Sequence, residues 1–135
     1  GPDLGINASL NGWRPFPDDN PWNTTVDGSP VDPDSDRILA AIGLTAALHP
    51  DFGTEPTYGI PYIVVAGTTP PIPVSFTYAD ESDPGPYPLP ANAPIEGGPG
   101  STGDRHVLVL DRDHRRLYEL FDAHPGAGGG AWTAA

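Results

Sequence analysis

The chain has 135 residues, 37% of them apolar, and contains neither Cys nor Met. That is the size of one ordinary domain with a modest core, and it leaves no disulfide framework and no thiolate metal site. Six Arg, no Lys and eighteen acids give a net charge of −12, a field that repels phosphate backbones and anionic lipid and so argues against nucleic-acid and membrane partners.

Residues 1–33 read as an irregular N-terminal arm. The run "NGWRPFPDDNPWNTTVDGSPVDP" alternates turn formers with aromatics. Trp13, Phe16 and Trp22 are expected to pin the arm to a core while the prolines fix its path. Asn23-Thr24-Thr25 matches a glycosylation sequon, read here as a chance match. Residues 34–135 read as a β-rich domain whose C-terminal end looks open.

A helix is expected near 35–43, with Ser35 or Asp36 as cap and acids in the first turn. Ile38, Leu39 and Ile42 form a short apolar stripe, and Gly43 is a natural stop. A second turn over Thr45–Leu48 would close at Pro50. From Tyr58 the period changes. "YGIPYIVVAG" is β-branched and aromatic, and its proline suggests a place near an edge or bulge. "IPVSFTYA" sets Val74, Phe76 and Tyr78 against Ser75 and Thr77, a half-buried strand.

Between Phe76 and His106 six prolines and a glycine-rich turn form a stiff, ordered connection. "RHVLVLD" and "RLYELFD" then flank Asp111–Arg116 as a hairpin. Val107, Val109 and Asp111 share one face of the first strand; His106, Leu108 and Leu110 share the other. Leu117, Glu119 and Phe121 oppose Tyr118 and Leu120 on the second. After a flexible glycine run comes Trp132. A free tail rarely needs a Trp, so it either folds back or starts a strand that continues elsewhere. The whole reads as mainly β, sandwich-like or jelly-roll-like, with one short helix and long Pro/Gly-rich ordered loops.

The strings "FPDDNPWN", "LHPDFGT", "YGIPYIVV", "FTYADESDPGPYP", "NAPIEGGPGSTGDRHVLVLDRD" and "LYELFDAHP" resemble a family of secreted, mostly uncharacterised bacterial proteins. The likeness covers nearly all of residues 12–135. It implies a secreted, extracellular location, in keeping with the absent initiator Met, but no activity or catalytic residues. Members of that family continue past this C-terminus, so the resemblance implies that the chain corresponds to their N-terminal portion.

Several clusters carry possible chemistry. Asp80, Glu81 and Asp83 offer hard oxygen ligands on a loop stiffened by Pro84 and Pro86, a candidate calcium site without EF-hand spacing. Asp104, His106, Asp111 and Glu119 cannot form one site, because His106 and Asp111 face opposite sides. His106 with Asp104, or Glu119 with Arg105 as a cross-strand ion pair, remains. Glycoside hydrolysis needs two carboxyls flanking a sugar, and Glu96 and Glu119 are the candidates, with His106 as an acid–base partner. Glu96 lies in "PIEGG", where glycines let a ligand approach the backbone.

Trp13, Trp22, Tyr58, Tyr62, Tyr78 and Tyr87 can offer flat faces to sugar rings, with Asp104 for hydroxyls. Trp22, Tyr78, Tyr87 and Asp104 are the ligand-binding candidates. No G-x-S-x-G occurs, and "GPGSTG" lacks the Lys of a phosphate loop. The functional expectation is a secreted domain that binds or acts on glycans. The alternative is a non-catalytic extracellular subunit that self-associates through β edges, with calcium as a stabiliser.

Overall fold

The β-branched run Tyr62–Val65 and the apolar run Val107–Asp111 form neighbouring strands at the centre of the fold. The structure, a computed structural model, describes residues 1–47 and 59–135. The expected turn end at Leu48–Pro50 and the aromatic Tyr58 lie outside the described residues. The chain divides into two units, one of Gly1–Pro15 with Gly53–Ala135 and the other Phe16–Phe52, where the sequence reading placed a division at residue 33.

In the first unit six strands form two open sheets. They are β1 (Gly5–Ile6), β2 (Tyr62–Val65), β3 (Val74–Phe76), β4 (Val107–Asp111), β5 (Arg116–Leu120) and β6 (Trp132–Ala134). One sheet has the order β1-β2-β4-β5 and the other pairs β3 with β6. Regular structure among the described residues is thus mainly strand, with one short α-helix.

The β4–β5 hairpin pairs Val107 with Leu120 and Asp111 with Arg116, as alternation and turn chemistry lead one to expect. Its turn is built on Asp111. One carboxylate oxygen accepts from the Asp113 and His114 N–H groups, each at 3.0 Å, and Arg115 closes the turn at φ 56°. Short Asp side chains favour this local capping.

β2 is interior, not an edge. It pairs antiparallel with β1 and parallel with β4. Pro61 stands immediately before the strand, so its missing N–H takes no bond from the ladder. β3 pairs parallel with β6, bringing Val74 opposite Trp132. The C-terminal Trp therefore folds back, and it is 2% exposed.

The core takes Ile63, Val65, Val107, Val109 and Leu120 from the larger sheet and Trp132 and Ala134 from β6. It also takes Tyr87, Leu89, Ala93 and Ile95 from the proline-rich connection. That connection is therefore a structural wall of the core as well as a stiff loop. Burying one such aliphatic side chain stabilises by about 1.5–3 kcal/mol.

In the second unit, α1 spans Ser35–Ile42. Neither Ser35 nor Asp36 is the cap: Asp34 is at the N-cap and makes no capping bond. Its carboxylate is instead drawn to the Arg37 guanidinium at 3.0 Å. Gly43 ends the helix at φ 109°, a conformation L side chains rarely adopt. Ile38, Leu39 and Ile42 are all exposed, so the apolar stripe exists but is uncovered.

Candidate functional site

Two arrangements stand out, one in each unit. In the second unit, Pro21–Asn23 forms a single 3-10 turn with Pro at its first position. The Asn20 side chain accepts from the Trp22 N–H at 3.0 Å. Asn23 donates its amide to the carbonyls of Phe16 and Pro17, both at 2.8 Å, and the Thr24 hydroxyl donates to the Asn20 carbonyl at 3.1 Å. On this cross-braced turn Trp22 is 85% exposed. It does not pin the arm to a core, and Phe16 is also exposed. The same polar residues that brace the turn commit the sequon's Asn23 side chain to the backbone.

In the first unit, Glu96 and His106 are joined where the glycine-rich turn returns the chain to β4. The His106 ring Nδ1 lies 2.6 Å from a Glu96 carboxylate oxygen. The same oxygen accepts from the His106 backbone N–H at 3.3 Å. The Glu96 N–H donates to the His106 carbonyl at 2.9 Å. Both side chains are about a third exposed. The hydrogen bond from the imidazole holds the Glu96 carboxyl below its usual range, against the opposing effect of burial. His106 also packs against Phe121, ring centroids 5.5 Å apart.

Arg105 secures this corner. It is 5% exposed, and it donates to the carbonyls of Ala123 at 3.0 Å, Pro99 at 3.0 Å and Ser101 at 2.8 Å. A guanidinium has five fixed donors and suits several acceptors at once. The expected Arg105–Glu119 ion pair is therefore absent; Glu119 lies exposed on β5 opposite Leu108. The partner of His106 is Glu96 and not Asp104, whose exposed residue instead offers its carbonyl to the Asp122 N–H at 2.8 Å.

Among the described residues Glu119 makes no hydrogen bond or ion pair with Glu96 or His106; the Glu96 carboxylate is taken by the His106 ring and backbone N–H. Nor do Asp80, Glu81 and Asp83 converge: among the described residues no group of three or more His, Asp or Glu side chains is arranged to hold a metal ion. These acids are exposed on a turn whose bonds run to the Tyr78 carbonyl, from the Glu81 N–H and the Ser82 hydroxyl.

Of the aromatic candidates, Tyr78 is exposed and Tyr87 is not. Tyr87 belongs to the core, edge-on to Phe76 at 5.8 Å and to Tyr118 at 5.4 Å, and its hydroxyl donates to the Asp83 carbonyl at 2.6 Å. Burial, and then the Asp83 charge, push its phenol pKa up. Tyr62 donates to the Ala8 carbonyl at 2.7 Å, and Trp13 lies 5.9 Å from the Arg115 guanidinium.

Sequence reasoning missed Phe121 and a second His–carboxylate pair. His114 Nδ1 lies 2.7 Å from the buried Asp111 carboxylate. Burial pushes that carboxyl up, but hydrogen bonds from the His114 N–H, the His114 ring and the Asp113 N–H outweigh it, and it titrates below the usual range. The signal was present in the spacing: an Asp at the end of a strand followed three residues later by His on a tight turn.

No protein-family model matches the chain, and no curated protein or solved structure matches it. No helix among the described residues is long and apolar enough to cross a membrane.

Proposed function

We propose that the chain is a secreted, extracellular β-rich domain that binds neutral glycans, with Trp22 as the stacking platform. One observation carries this reading: a nearly bare indole on a turn whose backbone is braced by Asn20, Asn23 and Thr24. A large aromatic face left in water forgoes the stabilisation of burial. Held rigid beforehand, it can cover the apolar face of a sugar ring with little loss of conformational freedom. The net charge of −12 favours a neutral polymer over an anionic one.

The likeness to secreted bacterial proteins supports the extracellular location. A sandwich, the fold expected from the strand pattern, draws support from a core fed by both sheets of the first unit. A jelly roll fits less well, because β2–β4 and β3–β6 are parallel pairs.

The test is tryptophan emission during titration with a panel of neutral polysaccharides. Trp132 is buried and Trp13 half-buried, so a ligand at the turn should shift the emission of Trp22 first. Trp22→Ala is expected to weaken binding about tenfold or more, roughly 1.4 kcal/mol. Unchanged affinity in Trp22→Ala, or no binding across the panel, overturns the reading.

The second reading, a non-catalytic subunit that assembles through β edges, has its own support in the outer edge of β5 and the uncovered stripe of α1. Sedimentation that shows a stable oligomer, together with no glycan affinity, would favour it.

A further inference from the structure

The geometry points to His106 Nε2 as the general base of a second site, one that hydrolyses carboxylic esters; this inference does not rest on the Trp22 reading. Among the described residues three His–carboxylate pairs occur, and His106 is the one whose ring also packs against an aromatic side chain. His124 uses its Nε2 to meet Asp122 at 2.9 Å. His114 is paired through Nδ1, but its ring lies against the backbone of Gly67, where a Cβ would stand 2.7 Å from Cε1. Its partner Asp111 spends the other oxygen on the hairpin turn. Both are read as structural.

His106 differs. Glu96 takes Nδ1–H at 2.6 Å, which assigns the lone pair to Nε2. Nε2 has no protein partner among the described residues. The ring cannot swing freely, because Phe121 packs on it and Glu96 and His106 also bond through their backbones. Phe121 is itself 48% exposed and forms an apolar floor beside the base.

The backbone around His106 is held in an unusual form. Arg105 has φ 53° and Asp122 has φ 48°. The two lie across the strand ends from each other, where Asp122 donates to Asp104 and Ala123 to Arg105. Left-handed non-glycine residues are strained and persist where the surroundings over-determine them. Here the three carbonyls gathered by Arg105 do so.

The substrate class follows from what the base lacks. Glycoside hydrolysis needs two carboxyls flanking the sugar, and Glu96 is already held by the His106 ring and N–H. Phosphate esters are repelled by a Lys-free chain of charge −12. Carboxylic esters need only water and a base. In the step, a water proton passes to Nε2 as its oxygen bonds to the ester carbonyl carbon. The carbon–alkoxy bond then breaks, and the leaving alkoxide takes the proton back from Nε2. Acid and alcohol are released and nothing is oxidised or reduced. His106 is the catalytic residue, and Glu96 is a positioning residue that also stabilises the imidazolium.

The experiment measures hydrolysis of p-nitrophenyl acetate and of an O-acetylated neutral polysaccharide by the full chain, against equimolar imidazole at the same pH. The protein should exceed free imidazole and be slower in D2O. His106→Gln should lose about 10²–10⁴-fold, while His114→Gln, which changes the other Nδ1 pair, should retain the wild-type rate. Glu96→Gln should lower kcat about tenfold with KM nearly unchanged, because the anionic partner is needed only as the proton reaches Nε2. A purely structural Glu96 would show no such split. A rate equal to free imidazole overturns the proposal. So does a His106→Gln variant with unchanged near-UV circular dichroism and unchanged rate. Should His106→Gln fail to fold, an unchanged kcat in Glu96→Gln overturns it instead.

Discussion

Arg105 and Asp111 are the two charged residues buried in the described structure, at 5% and 3% exposure. Neither is left unsatisfied, and no buried side-chain N or O atom among the described residues lacks a partner. Arg105 gathers carbonyls from two chain segments, so Arg105→Ala should destabilise by roughly 3 kcal/mol. Urea denaturation followed by circular dichroism would show it, and an unchanged midpoint would contradict the role. Asp111 makes a pH prediction. Its folded pKa is depressed below the ordinary 3.8, so its stabilisation is fully present above that value. It is lost as pH falls through the folded pKa. Asp111→Asn should be less stable at neutral pH and should show a shallower loss of stability below about pH 4. Thermal melts of both proteins from pH 2 to 7 would check this. Trp22 and Tyr87 show the limit of one-dimensional reading at this scale. Both are aromatics among prolines, yet one is nearly bare and the other is core. Only the path of the neighbouring backbone separates them.

At the scale of elements, the hairpin was legible because everything it needs is local. A period of two sets each strand's faces, and a short Asp-rich turn sets the register. The interior position of β2 was not legible, because its partners β1 and β4 lie more than forty residues away on either side. The turn of the hairpin also docks on the segment after β2. Gly67 donates to the Asp113 carboxylate at 2.8 Å, and its missing side chain makes room for the His114 ring. Gly67→Ala should therefore cost about 1 kcal/mol or more. In a double-mutant cycle with His114→Ala, the cost of Gly67→Ala should shrink, since the ring it meets is gone. Strict additivity would show that the contact is unimportant.

Over the whole molecule, the charge of −12 works against compactness through self-repulsion. Raising salt from about 0.01 M to about 0.15 M shortens the Debye length from roughly 30 Å to about 8 Å. The melting temperature should rise across that interval, as calorimetry would report, and a flat response would mean that the acids are too dispersed to matter. Composition and alternation alone determined the β-rich class, the helix ending at Gly43, the β4–β5 hairpin and the net negative charge. All of these depend on neighbours within a few residues or on sums over the chain. The tertiary structure decided that Glu96 meets His106, that Arg105 binds carbonyls and not Glu119, and that the proline-rich wall lends Tyr87 and Leu89 to the core. Each is a contact across a loop or between sheets. Such contacts depend on how long segments turn in space, and no local period encodes that.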